Sequence, residues 1–242
     1  MNKFYLSQYF FWDQTPLGKK VRKYFLKLFI GNTTHPVHVG CGSDSIGGFI
    51  NLDIRKTNAS DIVVDCGDFY SFPKNSLSKI FCNAFIEHLY FAQHKNFFYS
   101  LNLALAPGGV ACFLAIPDFE RVAKAYLNNE KGIVSDHFDY FEVYRYTHGD
   151  PEAQPGWIQQ LHKYILDKNY LSILMKSIGI QYYSFFNYCY PGEVIDVNLG
   201  MLIFKENVSS ENRELELTKF LNSLQTSKKF VDFTQPIKFI HH

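Results

Sequence analysis

The sequence is short of most features that mark specialised protein classes. No run approaches the roughly 18 consecutive apolar residues of a spanning helix, and the apolar FYLSQYFFW stretch near the start is cut by Asp13 with no small-residue cleavage site behind it, so no cleavable signal is expected. The five cysteines, Cys41, Cys66, Cys82, Cys112 and Cys189, include no C-x-x-C pair and mostly stand inside apolar runs. That argues against a disulfide-stapled scaffold and fits small buried thiols in a reducing cytoplasm. Charge of one sign is also missing: 24 Lys and Arg face 23 Asp and Glu. No global field draws the chain to a phosphate backbone, and nucleic acid is not expected as a partner. There is no internal repeat and no low-complexity block.

What the 242 residues do have is apolar and aromatic content, 47% and 17%, enough for one domain with a large core and some decoration. The aromatics suit a flat or glycan-like ligand, or a helical cap packed with Phe and Tyr. Residues 16–30 place Leu17, Val21, Tyr24, Phe25, Leu28 and Phe29 at helical spacing opposite five basic side chains. The reading is a basic amphipathic segment over 1–36, either laid on the domain or touching a membrane surface. From residue 37 the text changes to short apolar runs, VHVG, FINLDI, DIVVD, KIFCNAF and GVACFLAIP, bounded by Gly, Asp and Pro. They do not alternate, as expected of parallel strands covered on both faces. Helices are expected at 92–106, after Asp118, at 163–178 and from Ser209 to about Gln225, with closing strands at 181–188 and 200–206. The fold expected is α/β and Rossmann-like: a mostly parallel seven-stranded sheet, helices on both faces, and a helical and loop insertion over 130–162 before strand 6. The domain then spans 37–207, with a helical tail over 208–242.

Chemistry concentrates in VHVGCGSDSIGGFINLDI, residues 37–54. A strand that ends in Gly40-Cys41-Gly42 lets the backbone approach a ligand beyond the strand ends. Asp53 closes the next strand, where a carboxylate can accept both hydroxyls of a ribose. Ser45 stands where a dinucleotide fingerprint has its third glycine, and Asp53 comes too soon after Gly40 for that motif, so a pyrophosphate is not the ligand this loop expects. Only about seven residues join the first two strands, fewer than the dozen a helical crossover requires. The first helix is therefore expected to be a turn or absent.

These residues, and those that follow, resemble the class I S-adenosylmethionine-dependent methyltransferases, in the subgroup whose text runs L-x-L-G-C-G, a short loop, then G-W-x-N-x-D. Residues 59–65, ending in Asp65, resemble its third strand. The segments at 72–77, Phe85-Ile86-Glu87-His88-Leu89, Leu105-Ala106-Pro107-Gly108-Gly109 and Ile116-Pro117-Asp118-Phe119 resemble its P-F-P-D-N-S-F, V-L-E-H-L, L-K-P-G-G and V-P-D-L motifs. His162 and Asp167 resemble its H-x-x-x-x-D. The resemblance covers about residues 37–206. It implies S-adenosyl-L-methionine as cofactor, with Gly40, Cys41 and Gly42 at the methionine end and Asp53 and Ile54 at the ribose. Asp65 and Cys66 would frame the adenine, Asn83 and Ala84 would floor the methyl donor, and His88 would be a wall of the site. The subgroup is often associated with surface polysaccharide pathways, which suggests a sugar, sugar-nucleotide or phosphate-linked glycan precursor as acceptor.

Methyl transfer from a sulfonium needs alignment, and a base when the acceptor is a hydroxyl. The candidates for that base are His88, Asp118, His137, His148 and His162, with His162 and Asp118 preferred, although Asp118 could equally cap the helix behind it. In the insertion, taken as an acceptor lid, Tyr144, Arg145, His148 and Trp157 read as an acceptor wall, with Arg145 suited to an anionic group; core packing accounts for the aromatics equally well. His137, His148, Asp136, Asp139 and Asp150 show no strong ligand spacing, so no metal is expected. The alternative to an enzyme is a cofactor-binding partner subunit without turnover.

Overall fold

Five apolar runs form the parallel half of the sheet: β1 (His35–Val39), β2 (Ile50–Asp53), β3 (Ile62–Val63), β4 (Leu77–Asn83) and β5 (Leu105–Pro117). The computed structural model describes residues 34–67, 72–133, 135–149, 160–224, 227–232 and 234–240. The basic segment at 16–30 and Trp157 fall outside these. Val39 lies opposite Leu52 on one side and Cys82 on the other, and Asn83 lies opposite Leu114. β7 (Asn198–Phe204) runs antiparallel beside β5, followed by β6 (Tyr183–Tyr188) and β8 (Lys238–Ile240), giving the order β3-β2-β1-β4-β5-β7-β6-β8. The sheet thus has eight strands, one more than expected. The extra strand is three residues at the end of the expected helical tail, too short to show a period of its own.

Helices cover both faces. α1 (Phe91–Ala104) and α4 (Lys168–Ser177) pack Phe97, Phe98, Leu101, Leu171 and Met175 on one side. On the other, α5 (Ser210–Ser223) sets Leu217, Phe220 and Leu221 against Phe81, Cys112, Phe186 and Leu202. The apolar runs lack alternation for this reason: side chains on both sides of each strand are buried. The Pro107-Gly108-Gly109 segment does more than stop α1. Leu105 already pairs with Leu77, and the chain bulges through Gly108, at φ +69, before pairing resumes at Val110.

α2 (Phe119–Leu127) and α3 (Tyr140–His148) form a small layer of their own, in which Val122, Ala125, Phe138 and Tyr146 pack with Ile195 and Val197. Asp139 caps α3 by accepting from the amides of Phe141 (2.9 Å) and Glu142 (3.1 Å). Part of the 130–162 insertion is therefore an anchored helix; residues 150–159 lie outside the described residues. Among the described residues no helix is long and apolar enough to cross a membrane.

Residues 40–49, which join β1 to β2, contain no helix. Asn51 braces this crossover: its Oδ1 accepts from the Ile46 amide (2.8 Å) and its Nδ2 donates to the Phe49 carbonyl (3.1 Å). The face a crossover helix would cover is closed by the chain's end, where Phe230 packs 5.1 Å from the Phe81 ring and 6.5 Å from the His38 ring. β1 and β4 are neighbours whose connections leave in opposite directions. This is the switch point at which open α/β sheets bind ligands beyond their strand ends.

Candidate active site

At that switch point the strand ends surround a cavity of about 730 Å³, within the size range of small-ligand sites. Its first wall is the turn after β1. Gly40 and Gly42 both have φ in the left-handed region, +69 and +55, and a Cβ on Gly40 would fall 2.4 Å from the Phe85 ring. Two side chains fix the turn. The Asp53 carboxylate accepts from the Gly42 amide through Oδ2 (2.7 Å), and Thr57 Oγ1 donates to the Gly42 carbonyl (2.6 Å). The other carboxylate oxygen, Oδ1, accepts from the Arg55 amide (2.8 Å) and Arg55 Nε (3.3 Å). Asp53 is only 4% exposed, yet it lines the cavity. Each carboxylate oxygen can accept more than one bond, so the group retains capacity for a ligand.

The remaining cofactor candidates converge on the same cavity: Cys41, Ile54, Asp65, Cys66, Asn83, Ala84 and His88 all line it. Asp65 accepts from the Gly67 amide at 2.9 Å, which turns the chain after β3. Burial, then the Asp53 charge, pushes the Cys41 thiol up to about 12. Burial also raises Cys66. Both are wall atoms rather than nucleophiles. At the end of β4, Ala84 sits at φ +46, a strained conformation for a residue with a Cβ, and the buried Asn83 Oδ1 has no partner among the described residues. Buried polar atoms left unpaired, next to strained backbone, are typical of sites completed by a ligand.

No protein-family model matches this chain, and no curated protein matches it. Solved structures do. The chain is similar to an S-adenosylmethionine-dependent methyltransferase from Archaeoglobus fulgidus, at 12% identity over 81% of this chain and 99% of that one, with a TM-score of 0.45. A second methyltransferase of this kind, from Mesorhizobium loti, shows 14% identity, 75% and 96% coverage and a TM-score of 0.45. A third, from Thermotoga maritima, shows 11% identity, 82% and 93% coverage and a TM-score of 0.45. The functional reading rests on this chain's own strand order and side chains.

The acceptor candidates are placed less centrally. Tyr144, Arg145 and His148 lie on the exposed side of α3, where Tyr144 and His148 stack at 4.8 Å, and none of the three lines the cavity. His162 stands behind His88, the ring centroids 5.1 Å apart and edge to face, and burial lowers its pKa to about 4. Asp118 is buried at the N-cap of α2 without a side-chain capping bond, its carboxyl raised chiefly by burial, and it too lies off the cavity lining. The structure supplies wall residues that sequence reasoning passed over: Arg55, Thr57, Gln93, Gln160 and Lys163. Lys163 Nζ sits 4.6 Å from the Tyr90 ring centroid, and the Lys163 amide donates to the Glu87 carbonyl (2.8 Å), tying the end of the insertion to the turn after β4. Only the H-x-x-x-x-D motif beside Lys163 pointed to this stretch.

Proposed function

We propose that the protein is an S-adenosyl-L-methionine-dependent O-methyltransferase acting on a small, hydroxylated, anionic acceptor. The observation that carries this reading is Asp53: a buried carboxylate at the end of β2 that pins a helix-free glycine turn and faces the cavity. A dinucleotide needs a helix N-terminus for its pyrophosphate, and residues 40–49 provide none. A nucleoside without a pyrophosphate fits the same wall. The close backbone approach at Gly40, the hydrogen-bonding capacity of Asp53, and the unpartnered Asn83 Oδ1 are the features such a group would use.

When bound, S-adenosyl-L-methionine supplies a methyl group on a positively charged sulfur, an electrophile that needs alignment more than activation. Gly40, Cys41 and Gly42 would hold its amino-acid end, Asp53 and Ile54 the ribose, Asp65 and Cys66 the adenine, and Asn83 and Ala84 the region of the methyl group. His88, Gln160 and Lys163 form the opposite wall. Lys163 brings positive charge to the acceptor side, which supports an anionic acceptor. The choice of a sugar nucleotide or phosphate-linked precursor of a capsule or surface glycan, phosphoramidate types included, rests on the resemblance to the polysaccharide-associated subgroup. That acceptor implies work in the cytoplasm.

The test is calorimetric titration with S-adenosylmethionine and S-adenosylhomocysteine, followed by methyl-transfer assays on sugar nucleotides, phosphorylated sugars, RNA and peptides. Methylation of the sugar compounds is expected, and activity confined to RNA or peptide overturns the acceptor assignment. The helix-free first crossover favours one second reading, a cofactor-binding partner subunit. Tight cofactor binding with no methyl transfer to any acceptor would establish it.

A further inference from the structure

The turn after β4 and the end of the insertion bring three residues together, and the methyl-transfer reading gives the group as a whole no task. Glu87, His88 and His162 present one ligand atom each, and these atoms lie within 4.8 Å of one another. The hydrogen bonds of the two imidazoles fix which nitrogen is available. His88 Nδ1 faces the Leu161 carbonyl at 3.1 Å and His162 Nδ1 faces the Tyr146 carbonyl at 2.9 Å. A carbonyl only accepts, so each ring carries its proton on Nδ1 and keeps a lone pair on Nε2. That is the arrangement by which metal-binding histidines are usually oriented.

Glu87 is the third acceptor. It is 1% exposed, its Oε2 has no partner among the described residues, and its Oε1 lies 3.9 Å from His88 Nε2. At 3.9 Å a protonated carboxyl does not hydrogen-bond to that ring. A buried carboxyl and two imidazole lone pairs therefore converge without a proton shared between them. The buried, unpartnered Glu87 Oε2 is costly to keep without a donor or a cation.

We infer that Glu87, His88 and His162 are the protein ligands of a divalent transition-metal site of the zinc type, with its open position toward the acceptor end of the cavity. Two imidazoles and one carboxylate are a donor set for zinc and its first-row neighbours, whereas magnesium and calcium prefer oxygen ligands alone. Tetrahedral bonds of about 2.0–2.1 Å put ligand atoms about 3.3 Å apart, so a pair as far apart as 4.8 Å would close up by about 1.5 Å on binding. His88 lines the cavity while Glu87 and His162 do not, so the metal would be held at the cavity's edge, with its open position beside His88. There it could polarise an acceptor hydroxyl. That role rests on the methyl-transfer reading; metal binding itself does not. The histidines stand 74 positions apart in the chain (162 less 88), which is why no ligand spacing is visible in the sequence.

The experiment uses the full chain, untagged and stripped with a chelator, titrated with Zn²⁺ alone by calorimetry. One equivalent should bind, and His162→Ala and Glu87→Gln should each weaken it by about 100-fold or more. X-ray absorption on the wild-type zinc complex needs no variant. It should show two imidazoles in a nitrogen and oxygen shell near 2.0–2.1 Å, and a sulfur shell near 2.3 Å would overturn the assignment. Absence of zinc binding, or affinity unchanged in folded His162→Ala, would overturn it equally. S-adenosylhomocysteine is titrated separately into the metal-free protein, where binding is expected to persist. Loss of cofactor binding with zinc still bound would count against the methyltransferase reading and leave the metal site standing.

Discussion

Replacing Asp53 tests the cofactor assignment most directly, because the structure gives this carboxylate two duties that can be separated. In the free protein it accepts from three donors, the Gly42 amide at 2.7 Å, the Arg55 amide at 2.8 Å and Arg55 Nε at 3.3 Å. Asparagine keeps the shape but turns one oxygen into a donor that faces an N–H. One bond to a charged acceptor is lost, about 1.5–3 kcal/mol, and a donor is left facing a donor. Asp53→Asn should therefore lower folding stability by about 2–4 kcal/mol. The ribose would lose a further bond of the same kind, so affinity for S-adenosylhomocysteine should fall about 5- to 150-fold, corresponding to about 1–3 kcal/mol. Asp61→Asn is the matched control. Asp61 accepts from the Asn51 amide and from Asn51 Nδ2, both at 2.9 Å, but does not line the cavity. It should lose stability with affinity per folded molecule unchanged. Urea unfolding measures the first quantity and calorimetry below the transition the second. If folded Asp53→Asn binds with wild-type affinity, the ribose assignment is wrong, and if the wild type prefers NADH the reading of the whole cavity is wrong.

Gly40→Ala should destabilise by about 1–3 kcal/mol in urea, since it adds a Cβ at positive φ that meets the Phe85 ring at 2.4 Å; wild-type stability would mean the turn has another conformation available. Tyr188→Phe removes the hydroxyl that accepts from the Ala115 amide at 2.6 Å, leaving a half-buried N–H without that partner at a cost of about 1 kcal/mol, again read in urea. The pH dependence of the metal-free chain should have two sides. Burial raises Glu87 from 4.5 to about 8, so its folded form holds a proton that the unfolded form releases. That contribution is full below 4.5 and is lost as pH rises toward 8, and Glu87→Gln should flatten the decline. His38 and His162, lowered by burial from 6.5 to about 4, act oppositely: stability present above 6.5 is lost as pH falls toward 4. Urea midpoints between these limits measure both, and a profile flat in wild type and Glu87→Gln alike would refute the burial of Glu87 as a neutral acid.

The parallel strands, the glycine turn and Asp53 were legible because each is a local signal: an apolar run, a pair of glycines, an acid at a strand end. The insertion was not, because its composition was read instead of its period. In α3 the buried residues are Glu142, Tyr146 and Thr147, at helical spacing, which turns Tyr144, Arg145 and His148 to the outside. Tyr144 and His148 are four apart and stack on each other rather than around a ligand. Asn51 was visible only as a letter of a motif; its work of bracing a crossover without a helix depends on Ile46, Phe49 and Asp61 lying around it. β8 and the Glu87, His88 and His162 group depend on contacts between distant segments, and no local period carries such information.

The shortened crossover and the packing of Phe230 and Val231 belong to one structural solution. Parallel neighbours are usually joined through a helix that also covers the sheet. With residues 40–49 too few to supply one, His38 and Phe81 would face water on that side. Phe230 and Val231, 3% and 1% exposed, fill the gap against them, and burying side chains of this kind is worth roughly 1.5–3 kcal/mol each. Lys229 meets Asp44 at 2.9 Å over the same loop, but that pair is exposed and adds little. Apolar packing by Phe230 and Val231 thus supports the loop from beneath. Electrostatics on the ligand side shift too: without a helix N-terminus to favour an anion, the turn after β1 presents two glycine backbones held by the Asp53 carboxylate. Arg55 Nε, 3.3 Å from Asp53 Oδ1, balances the carboxylate charge, so the turn offers hydrogen-bonding groups rather than the anion-attracting field that a helix N-terminus would supply for a pyrophosphate.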